Sequence, residues 1–278
     1  MNYLKIPDEF RQKINVNYPA HQRGPMIEEF ADVYFKAAPE VNGYTYIPLF
    51  WTAWHVNNGY GKQKDACMRL LADIMPAGKY FTICQYDGGT LIDPFLMDRG
   101  CVTFVCDCRV EHNIIIPLLC DPHPVKCDDS AQWLASFVGS FTTHPVRKQL
   151  REMYGTRPGF YFGQHDTNLF RNVMRGSKFC LCPRGSGITS FRMYEAIQMG
   201  CIPVYISDIF RCPFDDVIDW KEFCLFFKLD EVDKIEGVLR TMPKSQIEKM
   251  QQKCQEVYLR HFNLKGTCDR ILEIMRAR

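Results

Sequence analysis

Short apolar runs alternate along the chain with stretches whose apolar positions recur every three or four residues. In the first half, residues 44–50, 80–85, 101–106 and 113–118 read as short buried strands. Between the first two, Cys67, Leu70, Leu71 and Ile74 fall at helical spacing within 61–75, and Pro76 and Gly78 close that helix. Residues 120–129 are polar and broken by Pro122 and Pro124, which marks a linker. The second half restarts with a strand at 133–138, a helix at 145–153, a strand at 179–183, a helix at 190–199 and a strand at 201–206. Helical segments at 231–241 and 245–274 follow, the second interrupted near 263–266. Strand–helix alternation on both sides of one linker predicts an α/β chain of two units with largely parallel sheets. The expected domains are 1–125 and 126–278, with the last helix free to cross back to the first.

Parallel sheets bind ligands beyond the carboxyl ends of their strands. Right-handed crossovers set loops 139–144, 184–189 and 207–210 side by side on one such edge. The matching loops of the first half are 51–58, 86–90 and 107–112, and facing edges would leave a cleft. The most informative connection is Pro183-Arg184-Gly185-Ser186-Gly187-Ile188-Thr189-Ser190, a strand end running into a helix start. Its glycines allow close backbone approach, Thr189 or Ser190 would cap the helix, and Arg184 and Arg192 add positive charge. Such a helix start suits a phosphate or pyrophosphate; the plainer reading is an ordinary capped connection with exposed arginines. No phosphate-loop Gly-x4-Gly-Lys-[Ser/Thr] occurs. Gly185-x-Gly187-x-x-Ser190 half-matches a dinucleotide fingerprint, with Asp208 at the end of the next strand as its ribose acceptor, which keeps an NAD-linked oxidoreductase open. On a helical wheel Glu195 lies away from Met193, Ala196 and Ile197; it either accepts hydrogen bonds from ribose hydroxyls or sits on a solvated face.

Composition narrows the class. Of 278 residues, 46% are hydrophobic and 24% charged, which excludes disorder and collagen-like order. A net charge of +2 gives no field to attract nucleic acid or an anionic membrane. No apolar run reaches the ~18 residues of a membrane span. The N-terminal residues Met1 to Glu9 show neither the basic flank nor the apolar core of a signal peptide, so a cytoplasmic protein without an integral membrane segment is expected. The 14 cysteines are then reduced thiols, most of them buried. Cys101, Cys106, Cys108 and His112 have the wrong spacing for a zinc knuckle, and the first two belong to an alternating strand, so no metal is expected there.

The run 177–195, continued by Gly200-Cys201-Ile202-Pro203-Val204-Tyr205-Ile206-Ser207-Asp208 and Pro213-Phe214-Asp215-Asp216-Val217-Ile218-Asp219-Trp220, resembles the exostosin-type glycosyltransferases. The first half matches only in outline, through Phe137-Val138-Gly139 with Arg147 and the Tyr86-Asp87-Gly88 loop. The resemblance implies a GT-B fold: an N-terminal Rossmann-like acceptor domain, a C-terminal Rossmann-like domain for the nucleotide sugar, and parallel sheets facing across a cleft. It also implies an inverting enzyme that moves a sugar from a UDP-sugar to an oligosaccharide or glycan hydroxyl. The donor set is then Gly139, Arg147, Arg184, Gly185, Gly187, Ser190, Arg192, Glu195 and Asp208. Transferases of the other common architecture hold a divalent metal through Asp-x-Asp, which this chain lacks, so metal-independent transfer with no cofactor beyond the donor is expected. The favoured base is Asp87, with His55, Asp107 and His112 as alternatives. An Asp-Gly turn would explain Asp87 equally, and His55 between Trp51 and Trp54 would also suit an acceptor platform. A short member without an anchor fits a stand-alone virus-encoded or microbial enzyme, and UDP-xylose is slightly preferred over UDP-galactose and UDP-glucuronate. A non-catalytic glycan-binding module on the same fold is the third reading.

Overall fold

A computed structural model describes residues 1–16, 24–106, 111–123, 131–164 and 167–278. The chain divides into two units, residues 1–121 with 263–278, and residues 122–262. In the first, β1 (Asn2–Tyr3) is followed by α1 (Ile27–Ala37), β2 (Tyr44–Ile47), α2 (Trp51–Asn57), α3 (Lys64–Ile74), β3 (Lys79–Cys84), α4 (Asp93–Asp98), β4 (Cys101–Val105) and β5 (Ile114–Ile115). These strands pair in sequence order, β1-β2-β3-β4-β5, all parallel. One sheet face buries Ile47, Leu49, Trp51, Leu71, Leu96 and Val105. Phe35, Tyr46, Phe81 and Phe104 meet ring against ring in the same unit.

The second unit runs β6 (Trp133–Val138), α5 (Pro145–Tyr154), β7 (Phe160–Gly163), α6 (Thr167–Arg175), β8 (Ser177–Pro183), α7 (Phe191–Met199), β9 (Ile202–Ile206), β10 (Leu225–Phe227), α8 (Ile235–Thr241) and α9 (Lys244–His261). Its strand order is β10-β9-β8-β6-β7, again all parallel. The central strands are apolar on both faces because helices cover both. Phe137, Phe179, Leu181, Ile202, Val204 and Ile206 build the core with Leu150 and Ile235. Gly200 ends α7 at φ 70°, and a Cβ there would come within 2.8 Å of the Gln255 side chain. Asn263 then caps α10 (Leu264–Arg276) by accepting from Gly266 N at 2.9 Å. That helix returns to the first unit, where Tyr34 donates to Asp269 at 2.7 Å and Asn42 to the Arg276 carbonyl at 3.0 Å.

The α/β organisation with largely parallel sheets expected from the pattern is observed, with every strand pairing parallel. Several boundaries differ. The strand expected over 44–50 stops at Ile47, and the aromatic run after it turns into α2. Of 113–118 only Ile114–Ile115 pairs, and 231–241 opens as a 3-10 turn over Leu229–Lys234 before α8. Cys101 and Cys106 are buried free thiols, and Cys106 donates to the Pro117 carbonyl. Cys108, Asp107 and most of the expected linker lie outside the described residues. Among the described residues, no helix is long and apolar enough to cross a membrane.

Candidate active site

Because β9, β8 and β6 are parallel neighbours, the loops at their carboxyl ends share one edge of the second sheet. Arg147 on α5 ties two of these loops together. It is buried, and its guanidinium donates to the carbonyls of Ser140, Pro183 and Arg184, each at 3.0 Å. Burial, and then the like charge of Arg192, pull its pKa down to about 10. Gly185 lies so close that a Cβ would stand 3.0 Å from Arg147 Nη2, which explains the glycine. The third loop joins through Ile188, whose carbonyl accepts from Tyr205 Oη at 2.9 Å and Ser207 Oγ at 3.2 Å. Ser190, rather than Thr189, is the N-cap of α7, accepting from Arg192 N at 3.3 Å.

Glu195 projects from the second turn of α7 and is 4% exposed. A solvated helix face is therefore excluded. Oε2 lies 2.6 Å from Arg192 Nη1, an ion pair by distance without hydrogen-bond alignment, and Oε1 lies 3.6 Å from His123 Nε2. Burial by itself would raise the carboxyl pKa; Arg192 and then His123 outweigh it and hold the group below its usual range. The Arg192 guanidinium also stands 4.2 Å over the ring of Phe170. Among the described residues, several buried polar atoms here have no hydrogen-bond partner, namely Thr189 Oγ1, Arg184 Nε, Arg192 Nε, Glu195 Oε2 and both His123 ring nitrogens; the first unit holds others. Such atoms are rare in folded proteins, and a polar ligand is one way to satisfy them.

Two expected ligands have other employment. Arg147 spends three N–H groups on backbone carbonyls, so it shapes the loops rather than standing free for a pyrophosphate. Asp208 pairs with Arg184, and that contact outweighs burial to hold its carboxyl below the usual range. Gly139 and Gly187 lie in the same loop set, with a Cβ on Gly139 placed 3.8 Å from Arg192 Nη2.

In the first unit, Asp87 is exposed in the turn after β3, which closes through Gly89 N donating to the Tyr86 carbonyl at 2.8 Å. His112 is also exposed. His55 is not a free titrating group: it is fully buried, Nε2 lies 3.1 Å from the Thr90 carbonyl, and the Tyr86 ring is 4.9 Å away. Burial lowers its pKa to about 4, so at neutral pH it is an uncharged structural residue that donates to Thr90. The sequence reading missed Glu28 on α1. Its buried carboxylate accepts from Thr52 Oγ1 at 2.5 Å and Gln85 N at 2.9 Å, joining the ends of β2 and β3, and burial raises its pKa. Nothing in the local pattern distinguishes it from the half-buried Glu29 beside it. His123 was missed too, as a residue of the supposed linker.

The chain thus holds two parallel α/β units, the second with an arginine-flanked strand–helix connection at its carboxyl edge. Residues 104–242, half of the chain, match the Exostosin GT47 domain, and the chain belongs to that family. Over 141 residues it is 32% identical to Exostosin-1 of Drosophila melanogaster, covering 49% of this chain and 18% of that protein. Over 154 residues it is 34% identical to a probable glucuronosyltransferase of Oryza sativa subsp. japonica, covering 49% and 35%. The chain thus spans well under half the length of these curated relatives. Among solved structures, Anabaena HepE in complex with UDP superposes with a TM-score of 0.49 at 9% identity, over 91% of this chain and 82% of that one. A likeness at that level carries no information on ligand or activity.

Proposed function

We propose that this chain is an inverting glycosyltransferase that moves a sugar from a UDP-sugar to a glycan hydroxyl. Family membership supports the reaction class. The observation that carries the site is the buried Glu195 carboxylate beside Arg192 on α7, with Arg184 in the preceding loop, on the edge where parallel sheets take their ligands. Glu195 accepts hydrogen bonds from the ribose hydroxyls. Arg184 and Arg192, with the capped start of α7, offset the negative charge of the leaving diphosphate. Gly185 and Gly187 keep the backbone close to it. In the transfer, the acceptor oxygen bonds to the anomeric carbon as the bond from that carbon to the diphosphate oxygen breaks. The acceptor proton passes to a carboxylate, which we assign to Asp87 because it is exposed at a strand's carboxyl end beside two glycines.

With no Asp-x-Asp in the chain, the arginines and the helix start supply the electrostatic role, and transfer is metal-independent. UDP-xylose is the preferred donor, ahead of UDP-galactose and UDP-glucuronate. The test is UDP release and product formation from UDP-xylose, UDP-galactose and UDP-glucuronate with oligosaccharide acceptors, in EDTA. Transfer with an inverted anomeric centre is expected. Activity abolished by EDTA and restored by Mn²⁺ would overturn the leaving-group mechanism.

A further inference from the structure

The proposed donor site holds a cation already committed elsewhere. Arg192, assigned above to the diphosphate, is the partner of Glu195 in the unliganded chain, at 2.6 Å. Glu195 is buried, and a buried carboxylate stripped of its cation is costly. If the diphosphate draws Arg192 away, another positive charge must replace it. The group in place is His123. Its side chain is 3% exposed and its Nε2 lies 3.6 Å from Glu195 Oε1, just outside hydrogen-bond reach. Its position is fixed independently: its backbone N–H donates to Gln198 one turn along α7, and its ring meets Phe170 edge-on at 5.4 Å. Neither ring nitrogen has a hydrogen-bond partner among the described residues. Among the described residues, the charged groups at this site include Glu195 and Arg192 on α7, with Arg171 on α6 acting on Glu195 at longer range.

We propose that His123 is a positioning residue of the donor site, which takes up a proton when the nucleotide diphosphate engages Arg192, and then holds Glu195 ionised and oriented for the ribose hydroxyls. This rests on the donor-site reading above. In the unliganded chain the Glu195 carboxylate faces both Arg192, at 2.6 Å, and the His123 ring, at 3.6 Å. In the complex a proton on His123 faces a carboxylate without Arg192. Protonation is therefore stronger in the complex, UDP binding carries a proton with it, and affinity falls as pH rises through the histidine range.

The test is calorimetric titration of UDP into the wild-type chain and H123Q, near pH 7, in phosphate and in Tris, whose ionisation heats differ. Subtracting H123Q removes the protons exchanged by UDP itself. The wild type should take up more protons than H123Q, by up to about one per UDP. Between about pH 6 and about pH 8 its affinity should fall several-fold more than that of the variant. Proton resonances of the histidine ring in the wild type, with and without UDP, read the same transfer without a substitution and cover the case in which H123Q does not fold. UDP binding with equal proton counts in both proteins, or a ring whose protonation ignores UDP, overturns the role of His123 and leaves the donor site standing. No UDP binding by the wild type removes both.

Discussion

Arg147 separates two accounts of the second unit's edge, and Arg147→Lys is the perturbation that tells them apart. Lysine keeps the charge but replaces a planar fork by a single ammonium on a flexible stem. It can reach one of the carbonyls of Ser140, Pro183 and Arg184, so two of the three 3.0 Å bonds are lost. At about 1.5 kcal/mol each, the low end for bonds to a charged group, the loss is about 3 kcal/mol of stability. The assay is urea unfolding followed by tryptophan fluorescence, in which Trp133 and Trp220 report on the second unit and Trp51 and Trp54 on the first. The second unit's transition should move to lower urea while the first unit's stays in place. UDP affinity should fall only as far as the loops loosen. Unchanged stability with a large loss of UDP affinity would refute the clamp and return Arg147 to the pyrophosphate.

Three further outcomes are expected. Glu195→Ala should weaken UDP binding by about 1.5–3 kcal/mol by titration calorimetry, the scale of hydrogen bonds to a charged group; wild-type affinity in the folded variant removes Glu195 from the ribose. Asp87→Asn should leave UDP binding intact and lower turnover by about 10²–10⁴, the range of general acid–base catalysis; binding and turnover lost together would make the residue a turn former only. For His55, burial depresses the folded pKa to about 4, below an unfolded value of about 6.5, so its contribution is complete above about pH 6.5 and fades as pH falls towards 4. Wild-type stability should therefore lose about 3 kcal/mol more than His55→Gln across that interval in urea titrations, and parallel pH profiles would show that the ring is not buried neutral.

The three central strands of the second unit were legible because both of their faces are buried, which leaves continuous apolar runs at 133–138, 179–183 and 201–206, whereas the edge strands β7 and β10 were not expected. The edge they define followed from topology alone. α1 was not legible: Glu28 and Asp32 are buried on it, and carboxylates on a core face erase the apolar periodicity. α2 escaped for the opposite reason, since its aromatic run reads as a continuation of β2. Glu195 was found as a candidate, but a solvated helix face stayed open for it, because a wheel cannot register that Arg192 pairs with a buried charge. His123 and Glu28 are defined by tertiary contacts with residues far along the chain, and no local spacing encodes those.

The central claim is that the start of α7 is a nucleotide-diphosphate-sugar site, and thermal denaturation with UDP against NAD tests it most directly. At about 100 times its dissociation constant, a ligand that binds only the folded chain adds about 2.7 kcal/mol. UDP should raise the melting temperature of the wild type, NAD should not, and the UDP shift should shrink in Glu195→Ala. Stabilisation by NAD with no response to UDP would contradict the account.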